Sequence, residues 1–124
     1  MIAETTLHLP LKKKWYDMIE SGIKKEEYRD VTPYYASRLF LNGDWIYLKQ
    51  NTLSDLLMDK VKRLAGNENE LRWKTHKQVV FSYGYTNRTM TFEVEELKIG
   101  KGNSEWGAEP DKEYFVIKLG KRIN

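Results

Sequence analysis

The first part of the chain changes from a strand-like alternation of apolar and polar positions to helical spacing. Two leucines flank His8, which predicts a strand over residues 5–9 with His8 turned away from the core. Pro10 suits the first turn of a helix, and the apolar residues that follow recur at intervals of three and four. We therefore expect a helix over residues 11–21, ended by Gly22 in a left-handed conformation.

The next segment contains a short strand of unusual polarity followed by two helices. Residues 25–30 carry charges of both signs yet keep the alternation of a strand. Thr32 and Pro33 resemble a helix N-cap and first helical position, which predicts a short helix ending near residue 40. After a turn at residues 42–44, the pattern predicts a strand over residues 45–49 and a helix over residues 53–64.

Strands dominate the predicted C-terminal half. Alternation predicts strands over residues 78–83 and 89–94, joined by a hairpin at residues 85–88, and a last strand over residues 114–119. A long glycine-containing loop is expected over residues 100–110. About five to six strands with two to three helices predict an α+β domain, for which a curled or barrel-like, mostly antiparallel sheet is the natural closure.

Composition indicates a single globular domain over residues 1–124. Hydrophobic residues make up 40% of the 124 residues and charged residues 31%, which is typical of folded rather than disordered chains. No apolar run approaches the ~20 residues that cross a bilayer, and the first ten residues lack the features of a signal peptide. The chain has no cysteine, so we expect a cytoplasmic protein without a membrane partner.

The charge distribution permits a polyanionic partner. The net charge is +3, and Lys12, Lys13 and Lys14 lie together in the first turn of the first predicted helix. Cations at this end of a helix are unfavourable by roughly 0.3–1 kcal/mol each when exposed. A bound anion such as a phosphate backbone would offset this penalty. Alternatively, the lysines extend into water and the penalty is screened.

Several kinds of catalytic site are not predicted. The two histidines, His8 and His76, are far apart and no cysteine accompanies them, so we expect no zinc site and no other metal. No nucleophile-elbow pattern supports a Ser-His-Asp triad, and the glycine pattern at residues 100–103 is too short to predict a phosphate-binding loop. We therefore expect no cofactor.

The stretch GIKKEEYRD concentrates charge where the chain passes from helix to strand. Strand alternation places Lys25, Glu27 and Arg29 on one face, with Glu27 and Arg29 about 7 Å apart along the strand. Lys24 lies in the bend after Gly22, where alternation need not apply. A lysine and an arginine around a glutamate supply anion binding and a possible general base, although such charge runs also occur as solvated faces.

The spacing of four residues in this stretch, Gly22, Lys24, Glu27 and Arg29, resembles the GxKxxExR signature of the ASCH domain family. The preceding LKKKWYDMIESG segment, the pair Gly84-Tyr85, the WGA segment and the closing YFVIKLGKRI strand are similar to that family as well. The resemblance implies a PUA-like β-barrel fold. It also implies a cleft beside the barrel lined by Lys24, Glu27 and Arg29, with Gly22 shaping the bend.

RNA or nucleotide binding is the first function that the resemblance implies. ASCH domains are thought to bind RNA by similarity to PUA domains, so residues 12–14 and Arg29 would meet phosphates. Exposed aromatic residues, among Tyr28, Tyr34, Tyr85 and Trp106, would stack on bases. The predicted ligand-binding residues are Gly22, Lys24, Glu27, Tyr28, Arg29, Lys14 and Trp106.

Metal-independent hydrolysis of RNA or of a modified nucleoside is the alternative, because some members of the family are hydrolases. Lys24 and Glu27 would then be catalytic, with Arg29 stabilising an oxyanion or phosphate and Tyr28 or Ser82 contributing a hydroxyl. The branch that acts on acetylated cytidine pairs the lysine with a threonine, where this chain has Glu27. A third possibility needs no ligand: the Glu27–Arg29 pair ties the barrel to a helix.

Overall fold

A curled sheet of five strands, with helices packed against it, forms the described part of the molecule. The computed structural model describes residues 5–40, 59, 61–63 and 72–124. The predicted turn at residues 42–44, the predicted strand over residues 45–49 and most of the predicted helix over residues 53–64 lie outside these ranges. Within them, the predicted α+β class is confirmed.

The secondary structure follows the predicted order, with changed boundaries. The strands are β1 Thr5–Leu11, β2 Glu26–Asp30, β3 His76–Tyr83, β4 Thr89–Lys101 and β5 Glu113–Arg122. The helices are α1 Lys13–Glu20, α2 Pro33–Leu39 and a 3₁₀ turn at Ser104–Trp106. Residues 59 and 61–63 are helical as well.

The strand order β1-β3-β4-β5-β2 places β1 and β2 at opposite ends of the sheet. β1 and β3 are parallel, while the other three pairs are antiparallel. Nevertheless Arg29 of β2 donates a hydrogen bond to the carbonyl of Pro10 in β1 over 2.9 Å. The two ends of the sheet are therefore in contact, which requires the sheet to curl into a half-barrel.

The pairing of β4 with both of its neighbours, and the irregularities in that pairing, explain how the sheet curls. β4 pairs with β3 through its first half and with β5 along most of its length, and its register to β5 shifts on both sides of Val94. Such irregularities bend a strand and increase its twist. The strand predicted over residues 89–94 therefore continues to Lys101, and part of the expected loop is strand.

The prediction that Pro10 opens the first helix is wrong. Pro10 lies inside β1, opposite Ser82 of β3, and α1 begins only at Lys13. The burial pattern gives the reason, because Leu7, Leu9 and Leu11 are all buried on one face of the strand. Extending the strand by two residues keeps Leu11 in the core, which outweighs the local preference of proline for a helix start.

The core lies between the concave face of the sheet and the helices. Its largest fully buried side chains are Tyr16, Phe40, Phe81, Phe115, Ile19, Leu39, Met90, Ile117, Val61 and Val79. Each contributes roughly 1.5–3 kcal/mol through removal of apolar surface from water. The predicted N-cap of α2 is confirmed, since the Thr32 hydroxyl accepts a hydrogen bond from the Tyr35 amide over 3.3 Å. Among the described residues, no helix has the length and apolarity needed to cross a membrane.

Candidate functional site

The bend that follows α1 is a Schellman motif built around Gly22. The Gly22 amide donates to the carbonyl of Ile19 over 3.1 Å, and the Ile23 amide donates to the carbonyl of Met18 over 3.0 Å. Gly22 has a φ of +85°, a conformation that side chains disfavour. The Lys24 amide also donates to Met18 over 3.0 Å. These hydrogen bonds therefore fix the backbone of residue 24 against the C-terminal end of α1.

Two cations converge on the carboxylate of Glu27. Lys24 Nζ lies 3.1 Å from Oε1, and an Arg29 terminal nitrogen lies 2.8 Å from Oε2. Glu27 is only 5% exposed and Lys24 only 3%. The predicted pairing of Glu27 with Arg29 across one strand face is present, whereas Lys25 is exposed and does not join them. Lys24 reaches Glu27 through the bend rather than through strand alternation.

An enclosure of aromatic rings and backbone surrounds the amine of Lys24. Its Nζ lies 4.5 Å from the ring centre of Trp15 and 5.3 Å from that of Tyr28. It also donates a hydrogen bond to the carbonyl of Trp106. Burial lowers the pKa of Lys24, and the neighbouring charge of Glu27 opposes that shift. The enclosure separates this amine from solvent.

Gly107 holds the β4–β5 loop against this enclosure. It has a φ of +104°, and a Cβ at this position would lie 2.9 Å from the indole ring of Trp15. Only glycine allows the loop backbone to approach the ring this closely. The close approach places the Trp106 carbonyl over Lys24.

The guanidinium of Arg29 is held from three sides. One terminal nitrogen donates to the Tyr35 hydroxyl over 3.0 Å, and the other contacts both Glu27 and the carbonyl of Pro10. Burial alone would lower the pKa of Arg29, but the charge of Glu27 and the hydrogen bond to Tyr35 outweigh it and raise the pKa. Its Nε is buried and has no hydrogen-bond acceptor among the described residues.

A cleft of about 610 Å³ opens beside this ion-paired cluster. Glu27 and Arg29 contribute its most buried polar lining, and Lys12 lies at its edge. Tyr85 is 97% exposed and borders the same cleft. The full lining is Pro10, Leu11, Lys12, Trp15, Glu27, Tyr28, Arg29, Asp30, Tyr35, Gly84 and Tyr85. The cleft thus combines one fixed guanidinium, aromatic surface and an exposed lysine.

The structure separates four predicted site residues from this cleft. Gly22 forms the bend after α1 and is not among the lining residues. Lys24 lies behind Glu27 and is not among the lining residues. Lys14 is exposed, with its amine 4.8 Å from the Trp15 ring centre. The side chain of Trp106 lines a different hollow of about 680 Å³, together with Lys118 and Lys121. This second hollow includes Glu26 of β2 but neither Glu27 nor Arg29.

Tyr28 lines the cleft, but its hydroxyl is engaged on the other face of β2. It donates to the Glu26 carboxylate over 2.7 Å and accepts from the Asn103 amide over 2.9 Å. Burial raises the pKa of Tyr28, and the contact with Glu26 adds to the shift. The hydroxyl of Ser82, the other one considered for catalysis, donates to the Gly84 carbonyl over 2.7 Å. Neither hydroxyl is hydrogen-bonded to Lys24.

Two of the three lysines at the start of α1 have partners within the chain that offset their unfavourable position. Lys13 pairs with Asp17 one turn later over 2.7 Å, and Lys14 lies over Trp15. Only Lys12, the N-cap residue, is found in the lining of the cleft. A bound anion is therefore not required to explain all three lysines.

Some residues that contact the ion-paired cluster were not predicted, namely Pro10, Trp15 and Tyr35. Trp15 carries the helical spacing of a core residue, yet it is half-buried and covers Lys24. Tyr35 could have been found, because only two residues separate β2 from α2 and this short connection places the first turn of α2 beside Arg29. The contribution of Pro10 is a backbone carbonyl, for which side-chain chemistry gives no signal.

Comparisons with known proteins do not extend this description. No family model, no curated protein and no solved structure matches the chain. Among the described residues, no group of three or more histidine, cysteine, aspartate and glutamate side chains is placed to hold a metal ion.

Proposed function

We propose that the chain is an ASCH-type domain whose cleft binds a nucleotide or single-stranded RNA. The observation that carries the proposal is the position of Arg29, a permanently charged guanidinium that lines the cleft and is held there by Tyr35, Glu27 and the carbonyl of Pro10. Arginine presents five donors in a rigid planar arrangement that matches phosphate oxygens. A phosphate in the cleft would be attracted by the positive charge of this guanidinium.

Charge and aromatic surface around Arg29 support the same ligand class. Lys12 is exposed at the edge of the cleft and adds a second cation for a phosphate. Tyr85 offers both faces of its ring, since it is almost fully exposed, and aromatic faces bind bases of any sequence by stacking. The cleft volume of about 610 Å³ lies within the ~300–1,000 Å³ typical of small-molecule sites.

The first prediction is that the protein binds single-stranded RNA with an affinity that falls as salt increases. Fluorescein-labelled hexauridylate is titrated by fluorescence anisotropy at several salt concentrations. Each phosphate contact contributes a slope of about −0.7 in log K against log salt for single strands. Contacts to Lys12 and Arg29 are therefore expected to give a slope of about −1.4 or steeper. Absence of binding at the lowest salt would refute the proposal.

Replacing Tyr85 with alanine is expected to weaken hexauridylate binding about fivefold, at the low end of ~1–3 kcal/mol per stacked base because one ring face remains in water. Tyr85→Phe keeps the ring and is the matched control, expected to bind like the wild type. Both variants should melt within about 1 °C of the wild type, since Tyr85 is almost fully exposed. Equal affinities for all three proteins would exclude stacking on this ring.

Hydrolysis is the second candidate function, favoured by the lowered pKa of Lys24 beside Glu27. A lowered pKa makes an amine a stronger proton donor, which general acid catalysis uses. The enclosure by Trp15 and the Trp106 carbonyl, however, keeps this amine out of the cleft lining. Mass spectrometry of the RNA recovered after each titration separates the two functions, because binding alone leaves its mass unchanged.

A further inference from the structure

A second hollow of about 670 Å³ adjoins the cleft and shares Pro10, Tyr35 and Tyr85 with it. It lies between β1, α2 and the segment that enters β3, and we call it the β1–α2 groove. Its lining also includes Tyr34, Arg38 and Lys74. Because the two hollows share three lining residues, a ligand can extend from one into the other.

The charge of the β1–α2 groove differs from that of the cleft. The cleft contains the carboxylates of Glu27 and Asp30 beside its cations. Among the described residues that line the groove, none is acidic, while Arg38 and Lys74 are cationic. A groove of one sign attracts a ligand of the opposite sign. The groove therefore favours an anion more strongly than the cleft does.

The contact between arginine and tyrosine that borders the cleft is repeated at the groove. At the cleft, Arg29 donates to the Tyr35 hydroxyl and its guanidinium carbon lies 5.7 Å from that ring centre. At the groove, Arg38 donates to the Tyr34 hydroxyl over 3.0 Å and its guanidinium carbon lies 5.2 Å from that ring centre. The two tyrosine rings meet edge to face, with centroids 5.0 Å apart.

This arrangement places two guanidinium groups on either side of one pair of aromatic rings. Arg29 is mostly buried and held by an ion pair, whereas Arg38 is exposed. The hydrogen bonds to the tyrosine hydroxyls limit the orientations of both guanidinium groups before any ligand arrives. Fixed donors of this kind lower the ordering cost of binding.

We propose that the β1–α2 groove is a second nucleotide subsite, so that the ligand is a single-stranded oligonucleotide of at least two nucleotides rather than a mononucleotide. This inference rests on the proposed function of the cleft. One nucleotide occupies the cleft, the chain passes Tyr85 and Pro10, and the next phosphate meets Arg38 and Lys74. Each hollow has a volume within the ~300–1,000 Å³ that holds a ligand of this size.

The test compares uridine monophosphate with hexauridylate by isothermal titration calorimetry. The groove variant is Arg38→Gln with Lys74→Gln. Its matched control is Lys98→Gln with Lys101→Gln, which removes the same charge from exposed positions of β4 outside both hollows. The groove variant is expected to bind hexauridylate about tenfold more weakly, with a salt slope smaller in magnitude by about 1.4. Its affinity for uridine monophosphate and its melting temperature should match those of the control.

The outcomes separate the two proposals. If the wild type binds neither ligand at low salt, the proposed function of the cleft fails and the subsite fails with it. If the wild type binds hexauridylate and the groove variant binds it equally well, the second subsite alone is overturned. If hexaglutamate binds the wild type as tightly as hexauridylate and loses the same affinity in the groove variant, the groove accepts an acidic peptide and the nucleotide subsite is overturned. A loss of affinity confined to hexauridylate supports the subsite.

Discussion

Replacing Glu27 with alanine is expected to lower the free energy of unfolding by about 3–5 kcal/mol, the usual cost of removing one partner from a buried ion pair. The loss is large because Glu27 contacts two cations, and Lys24 and Arg29 would both stay buried without their carboxylate. For a domain of this size the corresponding fall in melting temperature is about 10–20 °C. Thermal and urea unfolding followed by circular dichroism measure both quantities.

The control for this prediction is Asp17→Ala, which removes the carboxylate from an exposed ion pair. Lys13 and Asp17 lie 2.7 Å apart, close to the separations at Glu27, but both side chains contact water. Exposed pairs of this kind contribute less than about 1 kcal/mol. Losses of equal size for the two variants would show that burial does not strengthen the Glu27 cluster.

Replacing Arg29 with lysine is expected to lower the affinity for hexauridylate by about 10- to 100-fold, since hydrogen bonds to charged groups are worth ~1.5–3 kcal/mol. Lysine keeps the positive charge beside Glu27 but cannot reproduce the planar fork that reaches Tyr35, Pro10 and a ligand together. Anisotropy titrations at low salt measure the affinity, and thermal unfolding of the same samples shows how much stability is lost.

Arg88→Lys is the matched control for this substitution. Arg88 also pairs with a carboxylate, through two contacts of 3.0 and 3.3 Å to Glu20, but it is exposed and does not line the cleft. It should bind RNA like the wild type. If Arg29→Lys lowers the melting temperature and leaves RNA affinity unchanged, the Glu27–Arg29 pair ties parts of the fold together without serving a ligand.

Hydrophobic periodicity predicted the elements in which the pattern of buried and exposed positions can be read from the local sequence. Alternation along residues 78–83 and 114–119 located β3 and β5, and the Thr32-Pro33 pair located the start of α2. The prediction failed at Pro10, where local preference favoured a helix and the burial of Leu11 favoured a strand. Tertiary packing decided that conflict, which the short pattern before Pro10 could not reveal.

The site was predicted only as far as contacts along the chain could determine it. Alternation brought Glu27 and Arg29 together, and the glycine after α1 indicated the bend at Lys24. The contacts to Pro10 and to the Trp106 carbonyl depend instead on the curl of the sheet and on the path of the β4–β5 loop. Both contacts use backbone oxygens of distant segments, so no residue type in the sequence signals them.

The contact between Arg29 and Pro10 has a consequence for how the protein can change. One guanidinium joins the two terminal strands of the half-barrel and also borders the cleft. Under the proposed function, ligand binding and closure of the sheet depend on the same side chain, so a substitution of Arg29 that alters ligand preference would also weaken the contact between the two strands. Substitutions at the rim of the cleft, at Lys12 and Tyr85, can therefore change specificity without destabilising the fold. Substitutions at Arg29 cannot.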